Sequence, residues 1–81
     1  MVRAKFKVVE TRRVDYGSGV QEVIKMAPAS GEGNESWSKW TPSGSIEMSI
    51  TNPDAVAQLE LGKHYYVDFH AVPSDADGDA P

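Results

Sequence analysis

The chain has 81 residues, 40% apolar and 25% charged, with a net charge of −4 and no cysteine. That is one domain near the lower limit of what folds unaided, and its composition excludes general disorder. The missing cysteine excludes a disulfide scaffold, a thiolate zinc site and a cysteine nucleophile, and no apolar run reaches the ~20 residues that span a bilayer as a helix. The opening Met1-Val2-Arg3-Ala4-Lys5-Phe6-Lys7 lacks the apolar core of a signal peptide, so the expected setting is intracellular or particle-associated rather than secreted.

Charge is unevenly placed. Residues 1–25 hold six cations against three acids, +3, and residues 26–81 hold two against nine, −7. An acidic total disfavours bulk nucleic-acid binding, which needs clustered Lys and Arg. The asymmetry allows the basic part of one copy to meet the acidic part of another, against the plainer reading of solvated strand faces with a polar tail.

In chain order, Ala4, Phe6 and Val8 alternate with Lys5 and Lys7, the period of a half-buried strand. Val9 breaks the alternation, as a bulge or burial of both faces would. Tyr16-Gly17-Ser18-Gly19 reads as a turn, and Val20 to Ala27 as a second strand closing a long hairpin. Its apolar face holds Val20, Ile24 and Met26, with Glu22 as the exception. Residues 28–34 read as loop. Trp37 and Trp40 sit three apart, so one helical turn over 34–40 would put both on one side. Thr41-Pro42-Ser43-Gly44 reads as a turn before the cleanest strand, Ser45 to Thr51, with Ile46, Met48 and Ile50 on one face. Asn52-Pro53-Asp54 is a helix-start signature, and Gly62 a stop, so a short helix is expected near residues 53–59. Lys63 to Val72 forms the last strand, with Tyr65, Val67, Phe69 and Ala71 on one face and His64, Tyr66, Asp68 and His70 on the other. The order predicts a mainly all-β fold: a small four- to five-stranded barrel or sandwich, SH3-like or OB-like, with one short helix. Residues 1–72 make the single β domain and 73–81 an acidic tail.

Few residues offer chemistry. His64 and His70 stand about 20 Å apart on an extended strand and cannot share a metal ion. Asp68 and His70 are close enough to hydrogen-bond but have no nucleophile beside them. Asp75-Ala76-Asp77-Gly78-Asp79 resembles the start of a calcium loop but lacks the glycine and glutamate that loop requires. Gly31-Glu32-Gly33 lacks the following GK[ST] of a phosphate loop, and Asn34-Glu35-Ser36 matches a common glycosylation pattern without a secretion signal. Trp37, Lys39 and Trp40 are the strongest candidates. Exposed, they would anchor a protein interface or stack a nucleotide; buried, they would plug the end of a small barrel. No combination makes a catalytic set, so the chain reads as non-enzymatic, with no cofactor or metal.

Several segments together resemble a family of small tailed-bacteriophage proteins. They are Arg3 to Val8, Asn34-Glu35-Ser36, Trp40 to Glu47, Asn52-Pro53-Asp54-Ala55 and Leu61 to Phe69, so the likeness runs from about residue 3 to residue 70. The resemblance implies a phage origin. It carries no assigned activity and transfers no site residue.

The leading expectation is therefore a non-enzymatic phage interaction protein, a repeated virion accessory component such as a capsid-decoration or head-associated protein. Its contact residues would be Trp37, Lys39, Trp40, Asp75, Asp77 and Asp79, and its partners other copies of itself or phage structural proteins, in the particle or the host cytoplasm. The alternatives are capture of a nucleotide or a host defence component through Trp37, Lys39, Trp40 and Tyr66, and binding of single-stranded nucleic acid.

Overall fold

The computed structural model describes residues 2–73. Asp75, Asp77 and Asp79 therefore lie outside the described residues. Four strands form, β1 (Val2–Asp15), β2 (Val20–Pro28), β3 (Ile46–Ile50) and β4 (His64–Phe69). They build one antiparallel sheet in the order β3-β2-β1-β4.

Alternation along each strand decides which face is buried. Phe6 lies opposite Tyr65, and Ala4 opposite Val67; Val8 lies opposite Met26, and Met26 opposite Ile46. The buried centre is Ala4, Phe6, Val8, Ile24 and Met26, with Trp37, Ile46, Ile50, Leu59, Tyr65 and Val67 packed against it. The register of β1 on β2 shifts between Val8 and Glu10, so Val9 is the extra residue of a bulge and is exposed. The β1–β2 turn is closed by the Tyr16 N–H on the Gly19 carbonyl (2.9 Å) and the Gly17 N–H on Asp15 Oδ1 (2.8 Å), with Gly17 at φ +86°.

Two expectations need correcting. The strands form a single open sheet, not a two-sheet sandwich, and no ladder joins β3 to β4. Side chains of both edge strands nevertheless pack on the same centre, so the sheet is rolled around it. The helix near residues 53–59 is also absent; residues 53–57 form turns. The start signal itself operates, since Asn52 Oδ1 accepts the Asp54 N–H (3.0 Å) and the Asn52 carbonyl accepts the Ala55 N–H (2.9 Å). Propagation fails at Ala57, whose φ is +70° and whose N–H is drawn to Glu22 Oε1 (2.9 Å) instead of a helical carbonyl.

Where β2 stops at Pro28, β1 would be left with unpaired backbone at Arg3 and Lys5. The following loop supplies the missing partners. The Ala29 N–H and Asn34 Nδ2 both donate to the Lys5 carbonyl (2.8 and 3.1 Å), and Asn34 Oδ1 accepts the Lys5 N–H (2.7 Å). Ser36 Oγ accepts the Arg3 N–H (3.1 Å) and donates to the Arg3 carbonyl (2.8 Å). Two side chains thus stand in for two residues of strand. Gly33 brings this loop tight against β1. It sits at φ +123°, and a Cβ there would fall 2.6 Å from Lys5 Cδ and 2.9 Å from Lys5 Cβ. Gly33→Ala is therefore expected to lose about 1–3 kcal/mol in urea unfolding; an unchanged midpoint would contradict this close approach.

Candidate interaction surface

The two faces of the sheet present different chemistry. On the core face, at the end where Val2 pairs with Phe69, lies an open apolar cleft of ≈ 370 Å³. Val2, Ala4 and Phe6 of β1, Ile46 of β3, Phe69 of β4 and Trp37 line it, with Gly44 and Ser45. A second apolar hollow of ≈ 290 Å³ lies between Ile46 and Met48 of β3 and Tyr65 and Val67 of β4. Phe69 is 56% exposed, and Val2 and Met48 are also exposed. Of the residues lining the larger cleft only Ser45 carries a hydroxyl, and none is a histidine or a carboxylate. This surface can bind apolar groups.

The two tryptophans part company. Trp37 is half-buried, its ring stacked on Phe6 with centroids 6.4 Å apart and planes 6° from parallel. Its Nε1 donates to Asn34 Oδ1 (2.7 Å), which pins the ring as a wall of the cleft. Trp40 is 79% exposed, with Lys39 Nζ 5.3 Å from its ring centroid. The expectation that one helical turn would align them fails because the turn is too short. The Trp37 and Ser38 N–H groups both reach the Asn34 carbonyl (3.2 and 3.0 Å), and the chain then leaves, held by Ser38 Oγ on the Trp40 carbonyl (3.0 Å). Trp37→Ala is expected to cost about 3–4 kcal/mol of stability and Trp40→Ala less than about 0.5 kcal/mol; equal losses in chemical denaturation would refute this division.

The opposite face is polar. Arg3, Lys5 and Lys7 alternate along β1, with Asp68, Tyr66 and His64 of β4 directly across from them. Arg3 grips Asp68 through Nε (2.6 Å) and Nη2 (3.0 Å), and its guanidinium lies 4.8 Å from the ring centroid of Tyr66, which is 60% exposed. The Arg3 hydrogen bonds hold the Asp68 carboxyl below its ordinary range and raise Arg3 in return. Asp68 is thus hydrogen-bonded by Arg3, with the nearby His70 charge adding to the lowering. Lys25 Nζ approaches Glu10 at 3.7 Å. Among the described residues no three His, Asp or Glu side chains converge as metal ligands, and no helix is long and apolar enough to cross a membrane.

Two polar residues that organise this surface are not evident as such from the sequence. Glu22 is 1% exposed, with Oε2 accepting from Arg13 Nε (3.1 Å) and Oε1 from the Ala57 N–H. The signal was present, since Glu22 interrupts an apolar face and Arg13 sits across the hairpin. Asn34 is 3% exposed, and its amide also donates to the Ala29 carbonyl (3.1 Å). It is a buried hub and not an accessible glycosylation acceptor; nothing local in Asn34-Glu35-Ser36 signals that role.

Compared with known proteins, the chain matches no family model, no curated protein and no solved structure.

Proposed function

We propose that the chain is a non-enzymatic interaction protein, a repeated accessory component of a tailed-phage particle of the capsid-decoration or head-associated kind. The observation that carries this reading is the apolar cleft between Trp37, Phe69 and Ile46. A domain this small needs its large apolar side chains for its own core, and here several stand open at the rim of a rolled sheet. On this reading the roll is an unclosed barrel of the SH3-like or OB-like kind, and its partners are other copies of the chain or phage structural proteins. The likeness of the Trp40–Glu47 and Leu61–Phe69 segments to small phage proteins supports the particle setting. Mass spectrometry of purified phage particles tests it. The chain is expected in many copies per particle, and its absence would overturn the proposal.

A second reading is favoured by one observation, the exposed ring of Trp40 with the Lys39 ammonium against it. That pair would hold the base and phosphate of a small nucleotide, as a protein directed at a host defence signal requires. Tryptophan fluorescence that shifts on adding nucleotides or oligonucleotides would support it; an unchanged spectrum would remove it.

A further inference from the structure

On the polar face of β1, Arg3, Lys5 and Lys7 stand at alternate positions, so they recur at intervals of about 6.6 Å. No acid lies directly opposite Lys5 or Lys7. Lys5 faces Tyr66, and Lys7 faces Ala27 and His64. The neighbouring acids are engaged. Asp68 is held by Arg3, Glu10 lies near Lys25, and the Glu35 carboxylate accepts the Gly33 N–H (3.0 Å) but is also close enough to Lys5 to feel its charge, so Lys5 is partly compensated. The cationic run is short, because the next row across the sheet is Glu10, Lys25 and Glu47. The same spacing occurs in anionic form once in the sequence, at Asp75, Asp77 and Asp79, which lie outside the described residues.

We infer that Lys5 and Lys7, beside the Arg3–Asp68 ion pair, form the docking site for an acidic segment with carboxylates at alternate positions, namely residues 75–79 of a neighbouring copy. This rests on the repeated-component reading and names the contact between copies. The charges are complementary, and the two-residue repeats match in pitch if the segment docks extended. Nucleic acid fits less well. A phosphate chain running past Lys7 would meet Glu10 and Glu47, in a protein of net charge −4. In the same copy β4 leads away from Lys5 and Lys7, with His64 opposite Lys7 and Phe69 opposite Val2. Exposed ion pairs are individually weak, so the contact gains strength where many copies are held together.

The test uses the isotope-labelled full chain carrying Asp75→Asn, Asp77→Asn and Asp79→Asn, titrated with a synthetic peptide of residues 73–81 and followed by NMR. Amide shifts are expected at residues 3–7 and 64–68, with about a tenfold loss of affinity on raising salt well above physiological strength. Adding Lys5→Glu and Lys7→Glu to the chain should abolish the shifts, and a peptide carrying Asp75→Lys, Asp77→Lys and Asp79→Lys should restore them. No shift at millimolar peptide, or shifts that survive the lysine reversals, would overturn the inference. So would an oligothymidine that binds this face more tightly than the peptide. If the peptide fails while the chain is found in particles, the docking falls and the repeated-component reading stands. If the peptide binds as expected while the chain is absent from particles, the docking stands and the particle reading falls.

Discussion

Replacing Asn34 by alanine is expected to remove about 3–5 kcal/mol of stability, a large share of what so small a domain has. The side chain serves four bonds at once. Oδ1 accepts from the Lys5 N–H and Trp37 Nε1, and Nδ2 donates to the carbonyls of Lys5 and Ala29. Alanine leaves the Lys5 N–H, the Ala29 carbonyl and the Trp37 indole N–H without partners, while the Lys5 carbonyl keeps the Ala29 N–H. Each buried group left unmade costs about 1–3 kcal/mol. The damage reaches the cleft, because the indole bond fixes the Trp37 ring against Phe6. Asn34→Asp keeps both acceptor bonds but turns a buried carboxylate oxygen toward the Lys5 and Ala29 carbonyls, so it should cost at least as much as Asn34→Ala at neutral pH. Urea unfolding with near-ultraviolet dichroism of tryptophan reads both effects; a loss under about 1 kcal/mol for Asn34→Ala would refute the hub.

Glu22→Ala is expected to cost about 2–4 kcal/mol. It strands the Ala57 N–H and removes the buried partner of Arg13. Glu22→Gln keeps an acceptor for Ala57 but turns an amide toward the Arg13 guanidinium, and should cost about 1–2 kcal/mol. The two variants differ from wild type in pH dependence as well. The Ala57 hydrogen bond, aided by Arg13, holds the Glu22 carboxyl below its ordinary range despite burial. A carboxyl with a lowered folded pKa contributes stability that is fully present above its unfolded value of about 4.3 and is lost as pH falls through the folded one. Wild type should therefore be level above about pH 5 and decline below it. The decline should be shallower in Glu22→Gln but not abolished. Asp68, bonded by Arg3, and Glu35, bonded by its own and the Gly33 N–H groups, are lowered too and act in the same direction. Parallel slopes for wild type and Glu22→Gln below about pH 5 would show that Glu22 does not carry this charge.

Strands were legible because their signal is local. The alternation of Ala4, Phe6 and Val8, of Ile46, Met48 and Ile50, and of Tyr65, Val67 and Phe69 marks the apolar face by itself, and the break at Val9, open to a bulge or to burial of both faces, is a bulge. What failed depends on partners distant in sequence. Asn52-Pro53-Asp54 does begin a turn, yet whether the helix continues is decided at Ala57 by a carboxylate 35 residues away. The spacing of Trp37 and Trp40 assumed a helical turn that ends at Ser38. Strand order and closure depend on how β3 and β4 meet β2 and β1, which alternation along each strand does not encode. Of the candidate residues, Trp40, Lys39 and Tyr66 stand on the surface, while Trp37 serves the core and the cleft wall together; the sequence left open which tryptophan would be buried.

The bulge at Val9 divides β1 into two unlike halves. Up to Lys7 the strand is flanked by β4 as well as by β2 or the loop that replaces it, and Val8 still exchanges bonds with Gly62 and Lys63 (2.8 and 3.1 Å). Beyond the bulge it pairs with β2 alone, so from Glu10 to Asp15 one row of its backbone groups faces outward. A single strand is thus an interior girder at one end and a free margin at the other. Hydrogen exchange should follow that gradient, with amides near Phe6 opening only when the whole domain does and those near Val14 opening as the hairpin tip unzips. The tip can unzip without disturbing Phe6, Trp37 or the cleft, so loosening at that margin leaves the apolar cleft intact.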